Sequence, residues 1–128
     1  MKIGAAIVIE DQKILICQRA QTGSCANLWE FPGGKLEPLE TLEECTVREC
    51  EEELGIHLEI QKQVAVSTYH YPDRDVEITF FLAKRIGGTL TMRVHQDIRW
   101  VTPAELLQYS FCPADEELVN QLSNGFHF

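Results

Sequence analysis

One stretch constrains this chain more than any other: residues 33–56, GGKLEPLETLEECTVRECEEELGI. Thr41, with Glu44 three residues on, forms a capping box, and Gly55 stands where a left-handed residue closes a helix. The spacing predicts one α-helix over residues 42–54. On that helix Glu49, Glu52 and Glu53 lie at i, i+3 and i+4, so three carboxylates share a stripe. Like charges at such spacings oppose a helix by about 0.2–0.5 kcal/mol each, and a merely solvated face would interleave lysines. Only Arg48 is close, at i,i+4 from both Glu44 and Glu52, where it can orient a carboxylate. Hard cations such as Mg²⁺ or Mn²⁺ take oxygen ligands, often one or two carboxylates together with substrate phosphates. A bare E-x-x-E-E run is most often a solvated acidic face. The flanking glycines and the isolated Glu40 weigh against that here.

The rest of the chain reads as strands and helices intermingled. Residues 3–10 and 13–19 are β-rich around a Glu10-Asp11-Gln12 turn, and residues 21–27 are small and polar, a loop. Leu28-Trp29-Glu30-Phe31 leads into Pro32-Gly33-Gly34, and residues 35–39 continue as a short strand or loop. After the helix, residues 56–69 and 76–85 read as strands around a Tyr71-Pro72-Asp73-Arg74 turn. Gly87-Gly88 marks another turn, and residues 98–101 a short strand. Thr102-Pro103 opens a helix through Leu107, with Pro103 at its first position, and a second helix runs from Pro113 or Ala114 to Leu122. This order predicts one α/β (α+β) domain over residues 1–128, a mixed sheet covered by helices.

Charge narrows the partners. A net charge of −9 repels nucleic-acid polymers, yet admits a small phosphorylated ligand if divalent cations mediate the contact. No apolar run approaches the roughly 18–20 residues that span a bilayer, and the first residues do not resemble a signal peptide. A cytoplasmic location and no membrane partner are the expectation. Cys17, Cys25, Cys45, Cys50 and Cys112 contain no C-x-x-C pair, so reduced, mostly buried thiols are expected. His57, His70, His95 and His127 show no paired ligand spacing and are assigned to surface or turn positions.

With Gly34, Glu40, Arg48, Glu49, Glu52, Glu53 and Gly55 in place, the opening stretch fits G-x5-E-x7-R-E-U-x-E-E-x-G-U, U being a bulky aliphatic. Chance would supply those seven matches with a probability on the order of 10⁻⁸ per start position, at roughly 7% usage per residue type. The segment resembles the signature of the Nudix hydrolases. Cys50 stands where the pattern prefers Ile, Leu or Val, a substitution of one small hydrophobe that leaves the chemistry untouched. The resemblance implies an α/β/α sandwich around a mixed sheet and metal-assisted attack of water at phosphorus. It implies Mg²⁺, with Mn²⁺ as a substitute, held by Glu49 and Glu53 with the Gly33 carbonyl. Glu52 becomes a further ligand or the water-activating base, Arg48 holds the cluster in place, and Gly34 and Glu40 support it.

The likeness extends to the MutT-like branch of that family. Residues 28–35 resemble its approach to the signature, including Glu30, Phe31 and Pro32. Arg19 stands where the branch keeps an arginine for the substrate, Tyr71 to Arg74 match a turn near the base, and residues 111–116 resemble a base-reading loop. The reader there is Asp115. Ionised, it only accepts, which suits the cytosine amino group or the N7–H of 8-oxoguanine but repels O6 of the same base unless protonated. That shifts the expectation modestly toward pyrimidines; desolvation would keep the carboxyl protonated and able to donate, and a plain N-cap role for Asp115 stands beside both. Some MutT-like enzymes place a glutamate just before the tryptophan of the later strand; here Arg99 precedes Trp100 and Asp97 is the nearest carboxylate. The base is therefore Asp97 or a signature glutamate, Glu52 or Glu53 being favoured. Among aromatics, Phe31 and Tyr71 are candidates to stack on a base, while Phe80 belongs to the core. The implied reaction converts a nucleoside triphosphate, either ribo or deoxy, to monophosphate and pyrophosphate in a monomer or homodimer. The implied substrates are 8-oxo-dGTP, 5-hydroxy-CTP, CTP or dCTP. The alternatives are an ADP-ribose or dinucleotide pyrophosphatase, favoured by Pro72 sixteen residues after Ile56, and a nucleotide-binding module without turnover.

Overall fold

Strand β1 (Lys2–Glu10) is the spine of the sheet, in a computed structural model that describes all 128 residues. It pairs with β2 (Lys13–Gln18) only at its far end, Ile9 opposite Ile14 and Glu10 opposite Lys13. The connecting residues Asp11 and Gln12 both sit at positive φ, 49° and 63°, the left-handed pair that a tight two-residue hairpin requires. Along the rest of its length β1 runs parallel to β6 (Arg74–Gly88) and, on its other edge, antiparallel to β4 (Gly33–Lys35). The long β5 (Ile56–Tyr71) lies antiparallel on β6, while β3 (Trp29–Glu30) and β7 (Asp97–Val101) flank β2. The sheet is mixed, as the sequence predicts.

Successive side chains on a strand point to opposite faces, and the central strands use both. Ala5, Ile7, Ile14 and Ile16 enter one core, which also takes Leu106, Leu118, Val119 and Leu122. Ala6, Val8, Leu15 and Cys17 enter the other, closed by Cys50 and Leu54 of α1 (Leu42–Leu54). Helices therefore cover both faces, α1 on one and α2 (Glu116–Leu122) on the other, and the α/β/α sandwich follows from that alternation.

Helix α1 keeps the bounds read from its caps. The Thr41 hydroxyl accepts from the Glu44 N–H at 3.1 Å, the Glu44 carboxylate accepts from the Thr41 N–H at 2.8 Å, and Gly55 ends the helix at φ 69°. Three expectations change. Residues 104–108 form a 3₁₀ rather than an α-helical turn, with Pro103 as its cap, because Glu105 folds back to accept from the Thr102 N–H and hydroxyl at 2.9 and 2.8 Å. A second 3₁₀ turn, Pro113–Asp115, precedes α2, which starts only at Glu116. Gly87 and Gly88 are not a free turn but the last rungs of β6, opposite His57 and Ile56. All five cysteines are free thiols, four of them buried. No helix is long and apolar enough to cross a membrane.

Candidate active site

A cleft of about 940 Å³ opens beside the N-terminal end of β4. Glu49 and Glu53 of α1, with Gly33 and Gly34, line one end; Phe31, Tyr71, Arg74 and Asp115 line the other; Arg19, Glu30 and His95 complete the wall.

At the first end, Arg48 organises the acids. Its Nε and Nη2 donate to the two oxygens of Glu40 at 3.0 and 2.7 Å, a two-pronged pair that fixes the guanidinium plane. Its Nη1 then donates to Glu49 at 2.9 Å and to Glu52 at 3.2 Å. These bonds from Arg48, with one from the Glu37 backbone, hold the Glu40 carboxyl down near about 2. Glu40 and Arg48 are thus a permanent ion pair whose job is to aim Glu49. Gly34 makes room for the result: a Cβ there would sit on the Glu49 carboxylate. Glu53, one helical turn on, is partly buried, and burial together with the adjacent Glu49 and Glu30 pushes its carboxyl up to about 8. Two acids pressed together in a half-dry wall, with Gly33 and Gly34 behind them, fit a hard divalent cation; the charge that disfavours ionising both is what a cation relieves. No three acidic, histidine or cysteine side chains are gathered at ligand spacing, so two carboxylates leave the remaining positions to substrate oxygens, backbone and water.

The second end is aromatic with one buried acid. Phe31 lies against Phe111 (centroids 5.3 Å apart) and edge-on to Phe80 (6.0 Å), which fixes its ring in the wall. Arg74 lies over the Tyr71 ring at 4.6 Å and donates to the Ser24 hydroxyl at 2.9 Å, while the Tyr71 hydroxyl accepts from the Ala114 N–H at 3.2 Å. Asp115 is 3% exposed and makes no side-chain cap bond to α2, so it is a cleft group rather than a helix cap. Burial, and then the charge of Glu30, push its carboxyl well above the carboxylate range, against the pull of Arg19 and the Phe31 backbone.

The structure separates the residues picked from sequence. Arg19, Glu30, Phe31, Gly33, Gly34, Glu49, Glu53, Tyr71, Arg74 and Asp115 all line the cleft. Pro32 is buried beneath it, its carbonyl accepting from the Ala6 N–H at 2.8 Å, and Phe80 is core as expected. Glu52 is not on the same wall: its side chain is 60% exposed, on the outer side of α1 with Glu51 and Arg93. The three-glutamate stripe spans roughly 100° of helix circumference, and the cleft intercepts only the Glu49–Glu53 side of it. Arg48 does not reach Glu44, whose carboxylate is taken by the capping box. Asp97 lies outside the cleft, bonded to Arg99 at 3.0 Å and to the Ile98 N–H at 2.9 Å. His95 corrects the surface assignment of the histidines. It is buried in the cleft wall, 3.1 Å from Glu30 and 3.7 Å from Glu53. Sequence reasoning missed it because nothing local marks a lone histidine before a strand as buried.

This arrangement has known kin. The NUDIX domain family model matches residues 4–121, and the chain belongs to that family. The CTP pyrophosphohydrolase of Escherichia coli strain K12 is 39% identical over 119 residues, covering 93% of this chain and 88% of that one. The 8-oxo-dGTP diphosphatase of the same strain is 35% identical over 113 residues, 88% of each chain. The crystal structure of a MutT NUDIX hydrolase from Burkholderia pseudomallei superposes with a TM-score of 0.84 at 26% identity, over 94% of this chain and 96% of that one. The chain is a Nudix hydrolase, a nucleotide pyrophosphohydrolase of the kind that generally uses a divalent metal.

Proposed function

We propose that the chain converts nucleoside triphosphates to monophosphate and pyrophosphate with Mg²⁺, Mn²⁺ substituting, and that residues 1–128 form the one catalytic domain. The observation that carries this reading is a single cleft with paired acids at one end and a buried acid among aromatics at the other. Glu49 and Glu53, with the Gly33 carbonyl, are the groups to hold the cation, aimed by Arg48 and Glu40. A bound divalent ion supplies charge neutralisation for the triphosphate. Of the three carboxylates eligible to take the proton from attacking water, Glu53 faces the cleft, whereas Glu52 faces solvent and Asp97 is engaged by Arg99. A carboxylate has two oxygens, so Glu53 can ligate with one and accept the proton with the other. Four buried thiols, none paired, support a reducing, cytoplasmic setting, and the charge of −9 supports a free nucleotide over a nucleic-acid polymer.

The base preference follows from Asp115. A neutral carboxyl offers one donor and one acceptor side by side. That pair complements O6 and N7–H of 8-oxoguanine, and equally N3 and the amino group of cytosine, whereas the O6 and N7 edge of undamaged guanine only accepts. Oxidised guanine and cytosine nucleotides are therefore the favoured substrates. A panel of 8-oxo-dGTP, 5-hydroxy-CTP, CTP, dCTP, dGTP and ADP-ribose with Mg²⁺, scored for pyrophosphate against orthophosphate, tests this. Pyrophosphate release, with 8-oxo-dGTP and cytidine nucleotides ahead of dGTP, is the expected outcome; a preference for ADP-ribose would overturn it.

A further inference from the structure

His95 is the buried polar group that neither end of the cleft accounts for. Its side chain is 3% exposed, and its two ring nitrogens live in different surroundings. Nε2 faces the carboxylates of Glu30 and Glu53, at 3.1 and 3.7 Å, while Nδ1 is buried without a partner. The proton is accordingly assigned to Nε2, which donates to Glu30 Oε2, and Nδ1 carries only a lone pair.

Glu30 passes the constraint on. Its other oxygen, Oε1, accepts from Arg19 Nη1 at 2.8 Å. The residue next to His95 holds the opposite end of the same arginine: Gln96 Nε2 donates to the Arg19 carbonyl at 2.8 Å and to Asn27 Oδ1 at 2.7 Å, and its own N–H donates to the Gln18 carbonyl at 2.9 Å. Arg19 Nε donates to the Ser24 carbonyl at 2.9 Å, and Nη2 takes no protein partner. The dipeptide His95-Gln96 thus grips Arg19 at its backbone and, through Glu30, at its guanidinium. Without His95, Glu30 Oε2 loses the donor that holds it; Glu30 is then free to swing away and release the long, flexible Arg19 side chain.

We propose that His95 is a positioning residue: by holding Glu30 it fixes Arg19 so that the unspent guanidinium N–H groups face the nucleotide in the cleft. This rests on the reading of the cleft as a nucleotide site, and two readouts keep the two claims apart. In ¹⁵N-labelled, metal-free protein, solvent exchange of the Arg19 Nε–H is expected to be about tenfold faster in His95→Ala and near the original rate in His95→Gln, whose amide restores a donor. In turnover of CTP and 8-oxo-dGTP with Mg²⁺, His95→Ala is expected to raise KM about tenfold with kcat little changed, and to add nothing in an Arg19→Ala background. Should alanine collapse the wall, His95→Leu fills the volume without a donor and is compared with His95→Gln instead. Unchanged Arg19 exchange in the donor-less variants overturns the proposal whatever the substrate is. A fall in kcat at constant KM, or additive effects with Arg19→Ala, overturns it as well. If neither triphosphate is hydrolysed by the unsubstituted enzyme, the functional reading fails while the exchange measurement still decides the role of His95.

Discussion

The carboxylate end of the cleft is made by one unbroken stretch, residues 33–53, whereas the base end collects Arg19, Phe31, Tyr71, Arg74 and Asp115 from separate places along the chain. At the first end Glu40 and Glu49 are tied to one another through Arg48. At the second the decisive acid is buried, its titration pushed upward by that burial, and the positive side chains are spread along the wall. The contrast says that reaction and recognition can vary independently. A helix with fixed spacing delivers the chemistry, and loops and strand ends deliver the choice of base.

Substitutions at the carboxylate end are expected to have the largest effects. Glu53→Gln keeps the shape but removes both the ligand charge and the proton acceptor, so kcat should drop roughly 10³-fold with any of the substrates. A residual rate within tenfold of the original would move the base elsewhere. Gly34→Ala places a Cβ on the Glu49 carboxylate; displacing that group by about 1 Å should cost roughly 10²-fold in kcat. Steady-state kinetics beside a thermal melt would show it, since the fold should survive.

The same contrast explains what could be read in advance. The bounds of α1 were legible because a capping box and a terminal glycine are local chemistry, decided within a few residues. The layered mixed sheet was legible from the order of strands and helices, and Ala5–Val8 buries on both of its faces as such a sheet requires. Glu52 falls outside the cleft lining because spacing gives a stripe, not the point at which a neighbouring wall cuts it. His95 was invisible because its burial depends on Glu30 and Glu53, far away in sequence. The state of Asp115 was open for the same reason: desolvation is a property of the assembled cleft.

Smaller effects sharpen the base end. Burial pushes the titration of Asp115 upward, so raising the pH should ionise it and lower selectivity for 8-oxo-dGTP over dGTP by about tenfold, one good base contact. Asp115→Asn, always neutral, should flatten that pH dependence while changing the ratio little at low pH. An identical pH profile in both proteins would refute the protonated role.

A separate effect falls on stability. In metal-free protein the Glu53 carboxyl is raised from 4.5 to about 8, so between those values the folded state holds a proton that the unfolded chain has lost. Stability should therefore fall as pH climbs through that window and level off above it. Cation binding displaces the proton, so Mg²⁺ affinity should rise over the same range, with proton release visible by calorimetry in buffers of different ionisation enthalpy. Affinity independent of pH from 5 to 8 would place the cation away from Glu53.

The central claim is that the two ends act separately, and one measurement reaches it directly: kcat/KM for 8-oxo-dGTP and for dGTP, determined side by side in Glu53→Gln and Asp115→Ala. Glu53→Gln should lower both values by the same factor and leave their ratio alone, while Asp115→Ala should shift the ratio and leave kcat for the better substrate nearly intact. A changed ratio in Glu53→Gln, or an unchanged one in Asp115→Ala, would contradict the account.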